Sequence, residues 1–192
     1  MDQTVGIFSG SFNPIHLGHI AIARYMVEKE KLDEIWFLAT PQNPLKKRAD
    51  LLDDETREQL TLLAIKDMSA FRYCDIEKHL PLPSYTITTL RTLTRRYPDK
   101  NFCLLIGSDN WTIFDQWQSP QEILAEYPIY IYPRPGYPVD AATLPSSVHL
   151  TQAPMMDISS TEIRRRIAAG ESVTDYLPPA VLDYIVQHRI TW

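Results

Sequence analysis

The sequence predicts a single α/β domain over residues 1–192, doubly wound around a mostly parallel sheet. Short apolar, β-branched or aromatic runs recur at 5–8, 35–39, 71–76, 102–106, 129–132 and 148–150, each the length of a buried strand. Helically spaced patterns lie between most of them, and that alternation implies βαβ crossovers and helices on both faces of the sheet. The chemically unusual residues follow the strands, which is where open α/β sheets hold ligands.

The first run breaks into Ser9-Gly10-Ser11-Phe12-Asn13-Pro14 and then Ile15-His16-Leu17-Gly18-His19, a strand, a loop and a helix start. His16 and His19 stand three apart, on one side of the first helical turn, where unpaired N–H groups and the helix dipole favour an anion. Alone, the pair also fits a surface helix or two ligands of a metal site, but no HExxH, paired Cys or further His/Asp cluster completes such a site. No resident protein-held metal is expected.

After the second run, Pro41 to Arg48 is a basic turn in which Lys46 is a candidate phosphate contact. Asp53 or Asp54 caps a helix through Arg57, Leu60, Leu63 and Ala64, and Ile87, Leu90, Leu93, Thr94 and Tyr97 mark another that Pro98 halts. The fourth run ends in Gly107-Ser108-Asp109, where glycine admits a close approach and Asp109 suits ribose hydroxyls; Trp111 and Trp117 fit either core or ring stacking. Ser119 and Pro120 read as the cap and first residue of a helix, and 133–145 reads as a surface loop. Ser159, Ser160, Thr161 and Glu162 form a capping-box pattern before Ile163 and Ile167, and Arg164 falls on the first turn, which makes a second anion-binding helix start.

Composition narrows the partners. A net charge of −5 argues against broad nucleic-acid binding, and no run of about 18 apolar residues or leader pattern is present, so a cytoplasmic location and no membrane partner are expected. Cys74 and Cys103 lie in separate apolar runs and are expected to be buried, reduced thiols. There is no P-loop motif and no G-x-G-x-x-G after the first strand, which excludes an ordinary P-loop NTPase and a Rossmann dehydrogenase. Oligomeric state is not legible.

Residues 10–19 together with 158–164 resemble the nucleotidyltransferases that carry HxGH and ISSTxxR motifs. Pro41 to Lys46, Ser84-Tyr85-Thr86, Gly107-Ser108-Asp109 with Trp117, and Arg134-Pro135-Gly136 resemble one branch, the bacterial nicotinate-nucleotide adenylyltransferases. The resemblance implies a Rossmann-like nucleotidyltransferase fold, with ATP and nicotinate mononucleotide as substrates, nicotinate adenine dinucleotide and pyrophosphate as products, and Mg²⁺ carried with ATP. It implies that His16, His19, Lys46 and Arg164 handle the phosphates and that Gly10, Ser11, Phe12, Gly107, Asp109, Ser159, Ser160 and Thr161 line the nucleotide. Thr86, Trp117 and Arg134 would serve the mononucleotide. The sequence departs from the branch pattern at Leu45, where histidine is common, and at Ser9, where glycine is usual.

Overall fold

The computed structural model describes residues 3–40 and 51–192. Among these, six parallel strands form one sheet in the order β3-β2-β1-β4-β5-β6. They are β1 (Gln3–Gly10), β2 (Glu34–Ala39), β3 (Phe71–Tyr73), β4 (Lys100–Gly107), β5 (Ile129–Tyr132) and β6 (Val148–Leu150). The helices are α1 (Leu17–Glu28), α2 (Asp54–Ile65), α3 (Thr86–Arg96), α4 (Ser108–Trp111), α5 (Pro120–Glu126), α6 (Ser160–Ala168) and α7 (Pro179–Gln187), with short 3₁₀ turns between some of them. The doubly wound expectation holds, and the sheet is wholly parallel.

Alternation along each strand explains the continuous apolar runs. Val5 and Ile7, Trp36 and Leu38, and Phe102, Leu104 and Ile106 pack on one face beside Leu90 and Ile123. Phe8, Ile35, Phe37, Cys103 and Leu105 pack on the other beside Ile20, Leu60 and Val181. Both faces are covered, so neither side of a strand is free to be polar. The order reverses between β1, which continues leftward to β2, and β4, which continues to β5; the crevice at their carboxyl ends is the topological switch point.

The structure corrects several local expectations. The third strand stops at Tyr73, and Ile76 belongs to a 3₁₀ turn, Ile76–His79, whose burial against the sheet gives it an apolar residue without an extended backbone. Cys103 is buried, but Cys74 is only half-buried. Ser119 precedes α5 in a left-handed conformation and its hydroxyl caps nothing, although Pro120 does open the helix. The 133–145 stretch includes an Arg134–Tyr137 bridge around Gly136, whose φ of 83° suits glycine, and a 3₁₀ turn, Ala141–Thr143. Asp53 caps α2 as expected, accepting from the Thr56 N–H at 2.8 Å.

Candidate active site

The carboxyl ends of β1 and β4 open into a cleft of about 740 Å³. On the β1 side, Gly10, Ser11 and Phe12 run past it into His16, the residue that caps α1. Phe12 holds a left-handed backbone, φ 41°, an unfavourable state for an aromatic residue. Its ring is almost fully buried edge-on to Phe8 and His19, and that packing holds the loop in shape.

His16 and His19 stack, their ring centroids 3.7 Å apart. The His16 N–H donates to His19 Nδ1 at 3.2 Å, and a ring nitrogen that accepts leaves Nε2 as the nitrogen able to donate. Burial, reinforced by the positive charge of Arg134, lowers the His16 imidazole to about 3. His16 is therefore a neutral imidazole at ordinary pH. Among the described residues, Arg134 and Arg164 bring permanent positive charge to the cleft.

Opposite stands the start of α6. Ser159 accepts from the Glu162 N–H at 3.2 Å, the helix-capping half of the expected box. The reciprocal half is replaced, because the Glu162 carboxylate turns to Arg165 and Arg166, each at 2.8 Å. That pairing takes two members of the arginine run away from the cleft, while Arg164 donates to the Asn13 carbonyl at 2.9 Å and lines the cleft with Ser159, Ser160 and Thr161. Ser160 Oγ also donates to the Pro14 carbonyl at 3.0 Å, so α6 holds the first loop in place through two of its carbonyl groups.

Across the β4 edge, Asp109 and Arg134 line the cleft and pair at 3.5 Å. The separation is too long for a good hydrogen bond, and among the described residues Asp109 Oδ1 and Arg134 Nε are both buried without one. Gly107 sits beneath them outside the lining, where a Cβ would come within 2.3 Å of Asp109 Oδ1. The role of this glycine is to make room for Asp109.

Thr86 opens α3 and Trp117 follows the 3₁₀ turn Phe114–Gln116, and neither lines the cleft. Trp117 is half-buried, its ring 5.2 Å from Phe114. Lys46 and Leu45 lie outside the described residues. Ser9, the other departure, bonds through its hydroxyl to Thr40 at 2.9 Å and ties the ends of β1 and β2. Sequence reading gave no role to Asn13, whose side-chain oxygen accepts from the Leu52 N–H and from Trp192 Nε1, each at 3.1 Å. It also passed over the lining residues Tyr132 and Tyr137.

Residues 7–166 match the family model described as cytidylyltransferase-like. A probable nicotinate-nucleotide adenylyltransferase of Bacteroides fragilis is 53% identical over 95% of this chain and 90% of its own length. One from Flavobacterium johnsoniae is 43% identical over 94% and 95%. Among solved structures, the Plasmodium falciparum nicotinic acid mononucleotide adenylyltransferase complexed with NaAD superposes with a TM-score of 0.83, covering 98% of this chain and 97% of that one at 22% identity, which is a likeness of fold. With relatives so similar over nearly its whole length, the chain belongs to the nicotinate-nucleotide adenylyltransferase family.

Proposed function

We propose that the cleft joins Mg–ATP to nicotinate mononucleotide, with pyrophosphate as the other product. The observation that carries this reading is the stacked His16/His19 pair at the start of α1, facing the hydroxyl-rich start of α6 and Arg164 across the switch-point crevice. An oxygen of the mononucleotide phosphate attacks the α-phosphorus of ATP; that P–O bond forms as the bond from the α-phosphorus to the bridging oxygen breaks, and the electron pair leaves with pyrophosphate. The nucleophile is already an anion, so no general base is required and catalysis reduces to positioning and charge stabilisation.

His19 Nε2 and the neutral His16 donate hydrogen bonds to the transferred phosphate, and Arg164 and Lys46 supply positive charge. Gly10, Ser11 and Phe12 lie along the nucleotide, and Ser159, Ser160 and Thr161 add donors at the α6 start. Asp109 and Arg134, each with a buried atom that no described residue satisfies, take ribose hydroxyls and phosphate respectively. Thr86 and Trp117 stand outside the described cleft lining, and it is the family resemblance that supports them as contacts for the pyridine ring. Asp109 is the cleft's carboxylate among the described residues and is engaged by Arg134, a poor donor set for a resident metal; Mg²⁺ belongs to the Mg–ATP substrate.

The test is pyrophosphate release from Mg–ATP with nicotinate mononucleotide, nicotinamide mononucleotide, phosphopantetheine and glycerol 3-phosphate offered in parallel, and CTP as a second nucleotide. Turnover with ATP and the nicotinate compound is expected. Turnover with a different acceptor alone would overturn the substrate assignment, and silence throughout would overturn catalysis.

A further inference from the structure

Arg57 occupies a position in α2 that helical spacing aligns with Leu60 and Ala64, both core residues. It is nonetheless an arginine, and it is fully buried. Its Nε donates to the Leu52 carbonyl at 3.2 Å, one terminal nitrogen donates to the carbonyls of Ser11 at 2.7 Å and Thr40 at 3.0 Å, and the other meets Asp54 at 2.5 Å. Three separate pieces of chain converge on one guanidinium: the loop after β1, the end of β2, and the residues that lead into α2.

We infer that Arg57 is a positioning residue for the nucleotide cleft, a buried clasp that fixes the Ser11–Phe12 peptide against the ends of β2 and α2. The peptide unit is planar, so holding the Ser11 carbonyl on the guanidinium turns the Phe12 N–H the opposite way. Ser11 and Phe12 line the cleft, and Arg57 stands behind them. Leu52 is gripped twice, by Arg57 at its carbonyl and by Asn13 at its N–H, which ties the same loop to the residue beside the cleft-lining Leu51. Arginine alone presents donors in a rigid planar fork that reaches three carbonyls at once; lysine is a point charge on a flexible stem. The guanidinium, its charge paired with Asp54, also lies behind a loop that lines the cleft.

The inference rests on the reading that the cleft binds ATP, and binding by the unaltered protein tests that reading separately. Affinities for Mg–ATP and for adenosine would be measured by calorimetry on the unaltered chain, Arg57→Lys, Arg57→Met and Ile65→Val. The last weakens packing of the same helix without touching the clasp. Arg57→Lys is expected to retain its circular-dichroism spectrum and lose about tenfold in ATP affinity, the equivalent of one charge-assisted hydrogen bond, with adenosine affinity changed far less. Arg57→Met is expected to lose more, and Ile65→Val to bind as the unaltered chain does. An ATP affinity in folded Arg57→Lys within about twofold of the original would overturn the inference. So would equal losses for ATP and adenosine, or the same ATP loss in Ile65→Val. If Arg57→Lys does not fold, Asp54→Asn takes its place, since it removes the half-exposed carboxylate that steadies the guanidinium; a selective ATP loss supports the clasp and unchanged binding overturns it.

Discussion

A neutral His16 has a thermodynamic signature that does not depend on turnover. In the unfolded chain the ring has its ordinary value of 6.5; in the fold, burial and then Arg134 lower it to about 3. Between those values the unfolded chain binds a proton that the native protein refuses, so stability falls as pH falls, by at most about 1.4 kcal/mol per pH unit for one such group. The contribution is whole above 6.5 and drains away towards the folded value. Integrated from about pH 7.5 to about pH 5, the loss is about 2 kcal/mol. Replacing the ring by glutamine, His16→Gln, keeps a polar side chain that does not titrate. Urea unfolding of both proteins at the two pH values gives the quantity required. Carboxylates that titrate over the same range do so in both and cancel, as does the fixed cost of the substitution. The unaltered protein is expected to lose about 2 kcal/mol more than the variant on acidification. Equal losses, within about 0.5 kcal/mol, would mean that His16 protonates as freely in the fold as in the unfolded chain, and the neutral-donor role would fail.

Glu77 gives the opposite sign: burial raises its carboxyl, so its stabilising contribution is present below the unfolded value and lost as pH rises. Glu77→Gln keeps an acceptor for Thr89 Oγ1, now at 3.1 Å, and is expected to raise stability at neutral pH by on the order of 1 kcal/mol and to give little gain near pH 4, as read by denaturant unfolding. Gly107→Ala should leave the fold intact but push Asp109 from its place, raising KM for at least one substrate about tenfold in steady-state assays; unchanged kinetics would remove Asp109 from the site. His19→Ala should lower kcat by on the order of 10² with unfolding midpoints little changed, and near-normal turnover would dismiss its role.

The fold was legible because both faces of the sheet are covered. Strands such as 35–39 and 102–106 are apolar at every position, the mark of a strand packed on both sides. The same rule misplaced Ile76, since burial without extension produces an apolar residue just as well. The site was legible where backbone chemistry demands particular residue types: a histidine cap at α1, hydroxyls at the α6 start, and glycine below Asp109. It was illegible where the partners are carbonyl groups, because every residue has one and sequence cannot say which are left over. Arg57 acts on such groups, and Arg164, itself legible as a first-turn arginine, holds a carbonyl that was not, that of Asn13. Yet Arg57 did leave a trace, a charged residue at the core-facing position of an amphipathic helix, where a solvated arginine has no place. A charge on an apolar stripe must find partners inside the fold. Here those partners include the carbonyl groups just past β1, in the loop that lines the cleft, and just past β2, so the most informative departure from the helical pattern pointed at the site from behind.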